Sequence, residues 1–189
     1  MQATMPIVQA NMDVIAGSGS AEGQLEIERV FADHKELVFR AAYRVTGNSS
    51  DAEDVLQTVF LRLLRLEQTS EIRHLRAYLH RAAVNAALDL LRTRKENLNL
   101  PLEDQPEMAG LDSASSRQET GELRVWLRHA LARLNPRWAE MFVLRFIEDY
   151  NNREIARMMK TSAAVVAVAL HRTRAQLKKD YMAVMRGRR

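Results

Sequence analysis

The chain has 189 residues, enough for one ordinary domain or two small ones, and 47% of them are hydrophobic, enough for a buried core. It contains no cysteine, which excludes a disulfide framework and a thiolate metal site and fits a reducing, cytoplasmic setting. The net charge is only +4, but the signs are segregated: residues 67–95 carry six basic and three acidic groups, residues 96–116 five acidic and none basic, and residues 117–189 sixteen basic and seven acidic. Two positive blocks flanking a negative one point to a polyanion partner at both ends of the chain.

Met1 to Gln24 has no Lys or Arg ahead of its apolar residues, so no secretory signal is read there. Gly17, Ser18, Gly19, Ser20 and Gly23 suggest a disordered tail over residues 1–24. From Leu25 to Val45, apolar residues recur at helical spacing, and Gly47 and Asn48 end the run. Ser50 or Asp51 is expected to cap a second helix. Its Glu53 and Asp54 favour the helix dipole, and it buries Val55, Val59, Leu63 and Leu66. After a polar break at Glu67–Glu71, a third helix runs from about Leu75 to Lys95, with Tyr78, Leu79, Ala82, Ala83, Ala86, Leu90 and Leu91 inward. Residues 97–116, with Pro101, Pro106 and Gly110, lose the helical period and read as a flexible acidic linker.

A second helical domain begins near Arg117. Its first helix runs to Leu134 with Leu123, Trp126, Leu127 and Ala130 inward. Asn135-Pro136 then stops and restarts the helix. Residues 142–177 read as two short helices joined by a tight turn, the layout of a DNA-reading helix-turn-helix. The second of these helices opens with eight apolar residues, Ala163 to Leu170, before His171, Arg172 and Arg174. Val166, Leu170, Thr173 and Leu177 share one face and form core. Ala164, Val165, Ala167, Val168 and His171 then face outward. No strand is predicted, so the fold class is all-α, two small helical domains with the linker between them.

Enzyme chemistry finds no support. There is no Gly-rich phosphate loop, no GxSxG and no HExxH, and the five His lie scattered without metal-like spacing. No cofactor or metal is expected. The third helix interleaves Arg73, Arg76, Arg81, Arg92, Arg94 and Asn85 with Tyr78. Arg neutralises phosphate, Asn pairs with a base edge and Tyr stacks on an unpaired base. Taken alone, that helix also reads as a solvated face with Tyr78 filling the core.

Two long motifs resolve the ambiguity. Gly47-Asn48-Ser49-Ser50 leads into Asp51-Ala52-Glu53-Asp54-Val55-Leu56-Gln57, and Leu75-Arg76-Ala77-Tyr78-Leu79-His80-Arg81 leads on through Asn85 and Asp89 to Arg92. Together with Leu134-Asn135-Pro136 and Glu140-Met141-Phe142 in the second domain, these resemble an extracytoplasmic-function sigma factor of the bacterial sigma-70 family over about residues 25–95 and 117–180. The resemblance implies an alternative sigma factor that binds core RNA polymerase, directs it to particular promoters and helps open the duplex. It implies region 2 over residues 25–96 and region 4 over 117–189. Asp51, Asp54 and Gln57, supported by Arg62, would dock on polymerase. Arg73, Arg76, Tyr78, Arg81, Asn85, Arg92 and Arg94 would face the −10 element. The helix-turn-helix would read the −35 element, and the acidic linker would thread a basic channel of the polymerase. An anti-sigma factor is a further possible partner.

Several positions depart from the family's pattern. Thr58 replaces the usual acidic residue after Gln57, Tyr78 a frequent Trp, and Lys160 the usual turn Gly. The positions that usually carry Lys, Ser and Arg toward DNA are Ala167, Val168 and Ala169. With two cations lost, −35 binding is expected to depend less steeply on salt than in a typical relative. Small apolar groups meet thymine methyls in a major groove, while Arg153, Lys160, Arg172 and Arg174 keep the backbone contact. The same apolar face also suits a protein partner. A sigma-like protein that titrates polymerase or a regulator, and a stand-alone helix-turn-helix repressor, are the rival readings.

Overall fold

A computed structural model of the chain describes residues 21–65, 72, 74–98 and 116–187. Residues 1–20 of the tail predicted over residues 1–24, Arg73, and linker residues 99–115 lie outside the described residues, and residues 21–24 are helical rather than tail. Among those described, the architecture is seven α-helices and no strand: α1 (Ala21–Thr46), α2 (Ser49–Leu64), α3 (Leu75–Leu98), α4 (Ser116–Leu131), α5 (Pro136–Phe146), α6 (Asn152–Met158) and α7 (Ala163–Gly187). α1 begins four residues earlier than the apolar period suggests, and α4 stops at Leu131 rather than Leu134.

The helix ends have local chemical causes. α1 stops at Gly47, which takes φ +69° and donates its N–H to the Tyr43 carbonyl at 2.7 Å. The cap of α2 is Asn48, not the expected Ser50 or Asp51. Its backbone is extended, and its side-chain oxygen accepts from the Asp51 N–H at 3.1 Å. Asn135 caps α5, with Pro136 at the first turn, where a missing N–H costs nothing. α6 carries a full capping box: Asn151 accepts from the Glu154 N–H, and the Glu154 carboxylate accepts from the Asn151 N–H at 2.7 Å.

α1, α2 and α3 pack into one bundle around Val38, Ala42, Val45, Val55, Val59, Leu63, Leu79 and Leu88, all buried. Phe31 meets Phe60 edge-on at 4.9 Å between centroids. α4 to α7 form the second bundle around Leu131, Met141, Leu144, Ile155, Val166 and Leu170. Two expected core residues are exposed: Tyr78 by 39%, in the first turn of α3, and Leu123 by 43%, midway along α4. The two bundles do not stand apart. α3 packs on α4, α5 and α6, and the buried residues form one continuous cluster.

Candidate nucleic-acid interface

α6, the turn Met159–Ser162 and α7 build the helix-turn-helix. The turn is closed by the Thr161 N–H on the Ala156 carbonyl at 2.9 Å and the Lys160 N–H on the Arg157 carbonyl at 3.3 Å. That pairing puts the residue after the cap in the left-handed region, and Lys160 holds it at φ +49°. Ser162 then caps α7 by accepting from the Val165 N–H at 3.2 Å. Val166, Ala169, Leu170, Thr173 and Leu177 face the core, while Ala164, Val165, Ala167, Val168 and His171 face solvent. Val165 and Val168 are each about half exposed (50% and 51%), high for apolar side chains. Arg153, Lys160, Arg172 and Arg174 are exposed around this face, Arg174 lying 5.7 Å over the Phe146 ring.

The side chains of α2 and α3 divide into free and engaged groups. Asp54 and Arg62 are exposed on α2, and Gln57 is half-buried. Asp51 is buried and held by the Arg94 guanidinium, so two residues expected at different interfaces meet each other. Burial raises the Asp51 carboxyl above the ordinary aspartate range, against the pull of Arg94 and with a further push from Asp54. On α3, Arg76 and Tyr78 are exposed. Arg92 bonds Asp89 at 2.8 Å, one turn back. Arg81 and Asn85 turn toward the second bundle: both donate to the Glu140 carboxylate of α5, Asn85 at 3.0 Å, and Arg81 also donates to the Met158 carbonyl at 2.9 Å.

A polar cluster between the bundles has no counterpart in the sequence reading. The Glu148 side chain is 1% exposed and accepts from both ends of the Arg44 guanidinium, the Nε bond being 2.8 Å. It also lies 2.5 Å from His80 Nε2, while His80 Nδ1 meets the Tyr150 hydroxyl at 2.7 Å. Burial pushes the Glu148 carboxyl up, but the hydrogen bonds from His80 and Arg44 outweigh it and hold it below the ordinary glutamate range. Burial, then the nearby Glu148 charge, raise the Tyr150 hydroxyl. Arg128 of α4 is the last contact. Its guanidinium occupies the space a Cβ on Gly47 would fill, and burial followed by Arg124 lowers its pKa. One signal could have disclosed part of this cluster. Glu140 interrupts the buried run Ala139–Leu144, and an acid at such a position needs a partner.

A three-helix bundle followed by a helix-turn-helix bundle defines a two-domain, all-helical DNA-binding protein. The chain matches the Sigma-70 region 2 model over residues 30–96 and the Sigma-70, region 4 model over residues 124–177. It is 31% identical to the RNA polymerase sigma-E factor of Streptomyces coelicolor over 160 residues, which is 84% of this chain and 88% of that protein. It is 29% identical to the ECF RNA polymerase sigma factor SigE of Mycolicibacterium smegmatis over 172 residues, 90% of this chain and 66% of that protein. Among solved structures, CnrH in complex with the cytosolic domain of CnrY aligns over 94% of this chain and 96% of that one, with a TM-score of 0.52 and 23% identity. The sigma factor RpoE in complex with the anti-sigma factor NepR, from Bartonella quintana, aligns over 82% of this chain and 95% of that one, with a TM-score of 0.50 and 14% identity. The chain belongs to the extracytoplasmic-function sigma factors of the sigma-70 family. It is an alternative sigma factor that directs RNA polymerase to promoters and is not an enzyme. No helix among the described residues is long and apolar enough to cross a membrane.

Proposed function

We propose how the work of a sigma factor is divided along this chain. Residues 25–96 act as region 2, residues 97–116 as the acidic linker and residues 117–189 as region 4. Asp54, Gln57 and Arg62 meet core RNA polymerase from the outer side of α2, and Asp51 steadies that helix from beneath through Arg94. Arg73, Arg76, Tyr78, Arg81, Asn85, Arg92 and Arg94 serve the −10 element. There Tyr78 offers a face for a base to stack on, and the arginines neutralise phosphate. α7 enters the major groove of the −35 element. Ala164, Val165, Ala167, Val168 and His171 meet base edges and methyls, while Arg153, Lys160, Arg172 and Arg174 hold phosphates. The factor works in the cytoplasm, and an anti-sigma factor restrains it. The complex of RpoE with NepR, a protein of similar fold, supports that last assignment.

The outward row of α7 carries this reading. A solvent-facing strip of small apolar groups beside four cations suits a groove lined with phosphates and floored by methyls. Run-off transcription with purified core polymerase and mapped promoters tests it. The wild-type chain should give promoter-specific transcripts. Arg172→Ala should weaken all promoters alike, and Val168→Ala should change the ranking among them. Polymerase binding without transcripts would favour a titrating protein instead, and tight duplex binding without polymerase would favour a repressor.

A further inference from the structure

A cleft of about 450 Å³ lies between the C-terminal end of α1 and the second half of α4, and the proposed function makes no use of it. Its size falls within the range of about 300–1,000 Å³ that small-ligand clefts occupy. Two kinds of group line it besides apolar side chains such as Leu127 and Ile147. The first is an aromatic ring. Tyr43 is 47% exposed at the cleft and stacks on Phe39 one turn back, with ring centroids 6.2 Å apart and planes 12° from parallel. The second is a pair of guanidiniums. Arg124 and Arg128 stand one turn apart on the same side of α4, and both line the cleft. Among the described residues neither forms an ion pair. Arg44, also at the cleft, holds Glu148, and Asp51, whose charge reaches Arg128, is taken by Arg94. Arg128 is thus half-buried beside a second positive charge, and burial and Arg124 both work against its cation. A desolvated pair of like charges without a counter-ion is unfavourable, and a bound anion relieves it.

We propose that this cleft binds a free nucleoside phosphate, the base stacking on Tyr43 and the phosphates taken by Arg124 and Arg128. A base supplies the π-face that an exposed aromatic ring accepts whatever its sequence identity, and a phosphate supplies the paired oxygens that a guanidinium fork accepts. A bare anion would use the arginines and leave Tyr43 idle. An apolar ligand would leave the two charges uncompensated. Tyr43 comes from the first bundle and the arginines from the second, so the ligand binds the chain only with both folded and in place, and it adds to stability by mass action. None of these three residues is assigned to promoter or polymerase, so the site stands apart from how α3 and α7 meet DNA.

Calorimetric titration of the full chain with ATP, adenosine and inorganic pyrophosphate tests the proposal. ATP should bind once per chain and more tightly than either of the others, because it alone engages both the ring and the arginines. Arg124→Glu should weaken ATP by about tenfold or more. Tyr43→Leu should weaken ATP by about fivefold and leave pyrophosphate unchanged. Both positions are exposed, so neither variant empties a packed site. Lys178→Glu makes the same charge reversal at an exposed position of α7 outside the cleft and should leave ATP binding nearly unchanged. ATP should also raise the urea midpoint of the wild-type chain and not that of Arg124→Glu. No binding of ATP, pyrophosphate binding as tight as ATP, or an equal loss in Lys178→Glu and Arg124→Glu each overturns the proposal. So does loss of ATP binding when a single-stranded hexanucleotide of mixed sequence saturates the chain, because the cleft would then belong to a strand path.

Discussion

Lys160 is the residue that works hardest against its own chemistry. The hydrogen bonds that close the helix-turn-helix demand a left-handed residue after α6, and Lys160 sits there at φ +49° where glycine is the natural occupant. Lys160→Gly should therefore raise the stability of the second bundle by about 1 kcal/mol, read as a higher urea midpoint, while removing one cation from the DNA-facing side. A lower midpoint would mean that the lysine stem packs in a way that repays its strain. That strained position was legible in the sequence, because the turn geometry and the missing glycine could be read together. Other single positions were not. Asn48 rather than Ser50 or Asp51 caps α2, and Asp51 turns inward to Arg94. Four consecutive good capping residues, Asn48 to Asp51, leave the local pattern degenerate, and only the placement of α3 decides which of them points in.

The helices themselves follow from periodicity, and α7 most clearly. Its row of Val166, Leu170, Thr173 and Leu177 is buried as the spacing requires, and the opposite row is exposed. The two rows should respond differently to substitution. Leu170→Ala should cost about 2–4 kcal/mol in urea unfolding, because it empties a packed site. Val168→Ala should stay within about 0.5 kcal/mol, because solvent already reaches half of it. Equal losses at the two positions would mean that the outward row is covered in solution. Periodicity misjudged Tyr78 in the first turn of α3 and Leu123 midway along α4, which fall on the apolar side of their helices yet stay open to water. A helical wheel assigns a face; it cannot say how far along that face a neighbouring helix extends.

At the scale of the whole molecule, the packing of the two bundles on each other was invisible to the sequence. Glu148 meets Arg44 and His80 across separations of 104 and 68 residues, and no local pattern encodes a pairing at that distance. Its charge state gives the contact a defined acid limit. Glu148 titrates below the ordinary glutamate range, so its stabilising pairs are complete above about pH 4.3 and are lost only as the pH falls through the depressed value. The groups facing it are Arg44, His80 and Tyr150. The contact between the bundles, followed by urea unfolding at a series of pH values, should thus hold from pH 7 to about pH 5 and loosen in stronger acid, with the acid-dependent part much reduced in Glu148→Gln. Loosening already complete at pH 5.5 would exclude Glu148 as the titrating group.

Gly47 carries a consequence of a different kind. With no Cβ, it admits the Arg128 guanidinium to the C-terminal end of α1, where the helix dipole favours a cation. A side chain here would strain the turn at φ +69° and displace that guanidinium together, so one position fixes both where α1 ends and where the second bundle rests on it.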